Sequence, residues 1–166
     1  MHNFKGAEMS WNTYVASGWF SPEWDAELTD IRDVVVKNGI DAFVPRDFFV
    51  CPPDASKEVQ DATYDGNLEH LKKADFLLAN TRNKDMGTIF ECGYFRAWND
   101  ALEQLGLPPK PIVYYCGGLP PGAQFNLMLS RSGVKVCTSI EELDDYLARS
   151  VAAGELLVEE YEGSIE

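Results

Sequence analysis

Apolar positions along this chain fall into short continuous runs separated by longer stretches of helical period. Residues 13–17 form an apolar run that ends at Gly18 and predicts a first strand. Ser21-Pro22 then opens a helix, with serine as N-cap and proline at the first helical position. Its apolar face is Trp24, Leu28, Ile31, Val34 and Val35, and Asn38-Gly39 stops it. Residues 41–44 predict a second strand ended by Pro45, and a long irregular loop follows through Cys51-Pro52-Pro53. A helix is expected over 57–73, with Val59, Ala62, Leu68 and Leu71 among its apolar positions, and a third strand over 76–79. That strand is apolar throughout, as one buried on both faces should be. A helix over 88–104, strands at 111–116 and 134–137, and a last helix capped by Ser139 complete the series.

Strands alternating with helices imply crossover connections and a parallel sheet covered on both faces. The expected fold is a single doubly wound (flavodoxin/Rossmann-like) α/β domain with a parallel sheet of about five strands. It would span residues 1–166, with 1–10 and 151–166 as peripheral tails. Ligands in such sheets bind beyond the carboxyl ends of the strands. That rule selects three segments: Gly18-Trp19-Phe20, Pro45-Arg46-Asp47, and residues 80–87. The glycine-rich dinucleotide and P-loop phosphate signatures are both missing.

Composition narrows the chemistry. With 27 acidic and 14 basic residues the net charge is −13, a field that repels phosphate backbones and anionic membranes. Nucleic acid and membrane are therefore poor partners, and a neutral small molecule suits the chain better. No apolar run approaches the roughly 20 residues that span a bilayer, and the first ten residues lack the apolar core of a signal peptide. A cytoplasmic protein is expected. Cys51, Cys92, Cys116 and Cys137 contain no C-x-x-C pair, so metal-site spacing is absent, and Cys116 and Cys137 read as buried thiols. The two histidines, His2 and His70, lie in a terminus and on a polar helix face. Little material exists for a histidine triad or a histidine-ligated metal. Carboxylates, hydroxyls and amides remain.

One carboxylate stands out. Glu91, Tyr94, Phe95 and Trp98 recur at helical spacing, and three of the four are aromatic, so that stripe should face the core. A carboxylate there is costly to bury unless paired or used. The helix N-terminus just before it, at Gly87-Thr88, should help keep it ionised. It is either a functional group or a glutamate bonded to a backbone amide at the stripe's edge. Asp85, on the loop leaving the third strand, gives a second carboxylate at the same strand end, or else a helix N-terminal acid. Two carboxylates in different environments can divide nucleophile and acid roles, the arrangement that retaining glycosyl transfer needs.

Three segments, in order, resemble motifs of the nucleoside 2-deoxyribosyltransferase family. They are Tyr14-Val15-Ala16-Ser17-Gly18-Trp19-Phe20, then Asp85-Met86-Gly87-Thr88-Ile89-Phe90-Glu91-Cys92-Gly93-Tyr94, and Phe125-Asn126-Leu127-Met128. Tyr161-Glu162-Gly163 is similar to a C-terminal motif of some members. The resemblance implies that Glu91 is the nucleophile at C1′ of the sugar, Asp85 the carboxylate beside the base, and Tyr14 the phenol that orients the nucleophile. It implies that Gly18, Trp19, Phe20, Asp47, Asn67 and Gly87 line the substrate site, with Phe20 packing on the base. Asn126 and Met128 would reach into the pocket of a neighbouring subunit in a homo-oligomer. Deoxynucleosides and free nucleobases are the expected partners, with no cofactor and no metal. Two positions depart from the pattern: Asn67 stands where several members carry aspartate, and Glu166 where some end in tyrosine.

The function expected is transfer of a 2-deoxyribosyl group between bases by double displacement. A hydrolase of deoxynucleosides or their 5′-monophosphates is one alternative, with Arg46, Arg82 and Ser17 as the groups near enough to serve a phosphate. A non-catalytic nucleoside-binding module is the other.

Overall fold

The computed structural model describes residues 10–166. His2 and nearly all of the expected N-terminal tail lie outside the described residues. Five strands form one parallel sheet: β1 (Asn12–Ala16), β2 (Asp41–Phe43), β3 (Phe76–Asn80), β4 (Ile112–Tyr115) and β5 (Lys135–Cys137), in the order β2-β1-β3-β4-β5. Six helices connect them: α1 (Pro22–Lys37), α2 (Pro45–Phe48), α3 (Lys57–Lys73), α4 (Met86–Gln104), α5 (Leu127–Ser132) and α6 (Ile140–Ala153). The doubly wound fold and its five parallel strands match the expectation from sequence. Among the described residues no helix is long and apolar enough to cross a membrane.

The sheet divides the core in two. On one face Val15, Phe76, Leu78 and Val113 pack with Leu28, Ile31 and Val35 of α1 and Leu143, Tyr146 and Leu147 of α6. On the other, Tyr14, Leu77, Ala79 and Ile112 pack with Leu71 of α3 and Cys92 and Phe95 of α4. Every residue of β3 is buried, which explains its unbroken apolar run. The edge strands β2 and β5 have only three residues each, which limits the unpaired backbone they present. The chain turns one way from β1 to β2 and the other way from β3 onward. The carboxyl ends of β1 and β3 therefore flank the switch point where such sheets bind ligands.

Local chemistry sets the helix ends. Ser21, Ser56 and Ser139 each accept a backbone N–H as N-caps, and Gly154 closes α6 at φ 76°. Two short helices, α2 and α5, are absent from the elements expected from sequence. Pro45, read as a strand terminator, is also the first residue of α2. Asn126 caps α5 by accepting from the amides of Met128 and Leu129. Residues 155–166 run along the periphery and are tied to the fold: Tyr146 donates to the Leu157 carbonyl and Tyr161 to that of Ala123. The backbone of Glu166 bonds with Phe125 and Leu127, just ahead of α5.

The expected stripe on α4 is corrected. Thr88, Cys92, Phe95, Asn99 and Leu102 are the buried positions, whereas Glu91, Tyr94 and Trp98 are half-buried on the flank toward α3. Aromatic character misled the reading because Asn99 is a core residue by virtue of its bonds. Its amide donates to the Lys110 carbonyl and accepts the Lys110 N–H, both at 2.8 Å. His70 is corrected too: it is half-buried, with its ring stacked on Phe43 at 3.9 Å between centroids.

Candidate active site

Glu91 sits in the second turn of α4, and Tyr14 in the middle of β1. The Tyr14 phenol donates a hydrogen bond to the Glu91 carboxylate across a separation of 77 residues in sequence. Tyr14 is fully buried, and its ring packs on Phe43 at 5.3 Å. Burial and the adjacent carboxylate hold the phenol's proton on far above its ordinary range. Burial likewise pushes the Glu91 carboxyl from 4.5 up to about 7, the Tyr14 hydrogen bond pulls it down, and the charge of Asp85 adds to the rise. Desolvation is the largest of these influences, so the carboxyl holds its proton to a higher pH than a free glutamate.

Asp85 is the N-cap of α4. Its Oδ2 accepts from the Thr88 amide at 2.8 Å and from the Thr88 hydroxyl at 2.9 Å. Asp85 is thus a helix N-terminal acid, and its charge lies close enough to act on Glu91. Gly18 brings β1 against it: a Cβ at Gly18 would lie 3.2 Å from the Asp85 Cβ and 3.3 Å from the Trp24 ring. A Cβ at Gly87 would lie 3.2 Å from Asp85 Oδ2. Trp19 packs half-buried against the core, and its neighbour Phe20, at 5.1 Å between rings, is 70% exposed.

The remaining expected residues are placed around this centre unevenly. Asn67 lies on α3, and its Oδ1 is buried without a partner among the described residues. An orphaned buried acceptor is uncommon and costly unless a ligand or water supplies a donor. The Asp47 carboxylate is engaged by Arg46 at 2.9 Å and Arg32 at 3.5 Å. Asn126 and Met128 belong to a separate region, where they line a cavity of about 690 Å³ with Thr81, Lys84 and Ile89. Neither Tyr14 nor Glu91 lines it.

Several contributors carry no sequence signal of their own. Phe43, whose ring meets that of Tyr14, is also stacked with His70 at 3.9 Å and with Phe48 of α2 at 5.0 Å between centroids. Glu27, Asn80 and Arg82 interlock at the strand ends beside Gly18 and Asp85. The one local cue to them is that Asn80 and Arg82 fall within the strand-end segment 80–87. The cysteines are not part of this chemistry: burial pushes the Cys92 and Cys137 thiols up to about 12. Among the described residues no three His, Cys, Asp or Glu side chains are grouped to hold a metal ion.

The chain resembles known structures over nearly its whole length. A 2-deoxyribosyltransferase from the psychrotolerant bacterium Bacillus psychrosaccharolyticus superposes with a TM-score of 0.70 at 24% identity, covering 90% of this chain and 98% of that one. A conserved protein from Enterococcus faecalis V583 gives 0.59 at 18% identity, covering 84% and 98%. At these identities the likeness establishes the fold. No curated protein gives a significant match. The family model described as nucleoside 2-deoxyribosyltransferase matches residues 13–128, a span that contains Tyr14, Gly18, Asp85, Glu91 and Asn126. By that match, over more than two thirds of its length, the chain belongs to the nucleoside 2-deoxyribosyltransferase family.

Proposed function

We propose that the protein exchanges nucleobases on neutral 2′-deoxynucleosides through a covalent ester between Glu91 and C1′ of the sugar. The observation that carries this is the hydrogen bond from the buried Tyr14 phenol to Glu91, whose carboxyl desolvation raises to about 7, with the charge of Asp85 adding to the rise. A desolvated carboxylate with no paired cation among the described residues is an expensive arrangement that packing alone does not require. It suits attack on a carbon that develops positive charge, because the ester forms where water is scarce.

In the first displacement a Glu91 oxygen bonds to C1′ as the C1′–N bond breaks. The bonding pair goes to the base nitrogen, which takes up a proton. Asp85 is the group assigned to relay that proton from solvent, through the Oδ1 that its bonds to Thr88 leave open. The Tyr14 hydrogen bond fixes which Glu91 oxygen stays back and which attacks. In the second displacement a nitrogen of the incoming base bonds to C1′ as the C1′–O bond breaks and releases the Glu91 carboxylate, and the proton that nitrogen carried leaves by way of Asp85. Gly18 and Gly87 keep the floor around Asp85 free of side chains, Trp19 seats Phe20, and Phe20 forms an aromatic wall for the base. Asn67 offers its unpaired oxygen to a donor on the base, and Asp47 fixes α2 through its arginine pairs. Asn126 and Met128 serve the pocket of a second copy.

The groups weighed for a phosphate are engaged elsewhere, which favours the neutral nucleoside over its monophosphate. Arg46 pairs with Asp25 and Asp47, Arg82 with Glu27, and the Ser17 hydroxyl bonds Gly18 and Asn80. The test is incubation of deoxyinosine or thymidine with a second free base, followed by chromatography. New deoxynucleoside is expected with the native chain, and Glu91→Ala should lower its rate by at least about 10³-fold. Full exchange by that variant would overturn the mechanism. Release of free base at the same rate with and without acceptor would make the protein a hydrolase.

A further inference from the structure

On the α1 side of the sheet a polar cluster joins the carboxyl ends of three strands. Glu27 of α1 has a side chain only 10% exposed. Its Oε1 lies 2.8 Å from the Arg82 guanidinium, and its Oε2 accepts from the Asn80 amide at 3.0 Å. The same Asn80 side-chain amide nitrogen reaches the Ser17 hydroxyl at 3.3 Å, and the Asn80 side-chain oxygen Oδ1 accepts the backbone N–H of Arg82 at 3.1 Å. At the end of β4, a Cβ on Gly117 would come 2.8 Å from Glu27 Oε1 and 2.6 Å from the Tyr115 phenol oxygen. A side chain at residue 117 would thus force Glu27 or Tyr115 to shift.

The two backbones that Glu27 joins form the floor of the site on the other side. Ser17 precedes Gly18, which packs on the Asp85 side chain, and Arg82 begins the turn that ends at Asp85. That turn is tight. The Lys84 amide bonds back to the Thr81 carbonyl at 3.1 Å, and Lys84 takes φ 50°, a conformation that disfavours any residue with a Cβ. Such a segment keeps its shape only when its surroundings hold it. A buried carboxylate is also a poor choice where packing is the sole demand, since apolar replacements serve as well.

We propose that Glu27 is a positioning residue which, through Asn80 and Arg82, fixes the spacing of Gly18 from Asp85 and so the alignment of Asp85 with Glu91. The assignment rests on the roles given above to Asp85 and Glu91. Two variants test it. Glu27→Gln keeps the volume yet can accept from only one of the two donors at full strength. Arg82→Ala removes an exposed guanidinium and leaves the core alone.

In both, kcat for base exchange should fall about tenfold, as expected for a sub-ångström misplacement, with KM for the deoxynucleoside changed by less than about twofold. The Thr88 amide, which Asp85 holds, should exchange with solvent deuterium about tenfold faster while Leu78 in β3 stays protected. Folded variants with native kcat overturn the proposal, whether or not Thr88 is loosened, and so does a loss confined to KM. If Glu27→Gln does not fold, Arg82→Ala decides alone. A native chain that exchanges no base pair defeats the transferase reading instead. Thr88 exchange in the same variants then still reads whether Glu27 holds the Asp85 turn, and unchanged protection overturns that link.

Discussion

A glutamate in water gives up its proton near 4.5, whereas burial holds that of Glu91 to about 7. Below 4.5 the residue is neutral in both folded and unfolded chains and costs nothing. Above 7 it is charged in both, and the folded state carries the penalty of a desolvated carboxylate, about 3 kcal/mol. Stability from this site is therefore lost as pH rises from 4.5 to 7. Glu91→Gln should raise stability by about 2–3 kcal/mol at pH 8 and by almost nothing near pH 4.5, as urea denaturation at the two pH values would show. Gain of equal size at both would mean packing, not charge, is responsible. The neighbours pull the acid limb of kcat/KM in opposite directions. Tyr14→Phe removes the bond that favours the charged form, so the limb should move above 7. Asp85→Asn removes a like charge while keeping an oxygen for the cap, so it should move below. Residual activity suffices to read both profiles, and shifts of the same sign would refute the electrostatic account. The identity of Glu91, Asp85 and Tyr14 as a group was legible in their motifs. The proton affinity was not, because it is made by burial between α4 and β1, elements brought together only in three dimensions.

At the scale of elements, most helix and strand boundaries follow from caps and apolar runs: α3 occupies residues 57–73, the span its apolar positions predict. What periodicity missed is instructive. On α4 the aromatic residues Tyr94 and Trp98 looked like core, yet Asn99 takes that place by bonding both polar backbone groups of Lys110. No sequence pattern reveals such a bond, since its partner lies on another segment. Asn99→Ala should orphan two backbone groups and cost about 2–3 kcal/mol, lowering the urea midpoint with the slope unchanged. A loss under about 0.5 kcal/mol would mean the pair forms no stabilising contact. The helices α2 and α5 escaped notice because four and six residues are too few for a period to show. Each is specified by a single starter residue, Pro45 and Asn126 respectively. These short helices carry Asp47 and Met128, so the least legible elements hold several of the residues assigned to substrate.

For the molecule as a whole, the alternation of strand and helix fixed the architecture, whereas assembly leaves only indirect marks. Ile89, Leu127 and Met128 line an apolar groove beside α4 and α5, and Met128 is 75% exposed. The cavity bearing Asn126 adjoins it and contains neither Tyr14 nor Glu91. If Asn126 serves a sugar held by another copy's Glu91, the chains must associate for the site to be complete. Two copies at −13 each repel at low salt, so apolar contact must supply the attraction, and added salt should favour association. Light scattering across a salt series measures this directly. The decisive form uses two inactive chains. Glu91→Ala removes the nucleophile, and Asn126→Ser removes the amide while keeping an oxygen to cap α5. In a randomly mixed dimer, half the particles pair one of each. One of their two sites then draws Glu91 from one copy and Asn126 from the other. Activity should return to about a quarter of the native value on mixing, by the symmetry of a shared site. A mixture as inactive as its parts would place Asn126 with the Glu91 of its own chain and remove the reason for a partner.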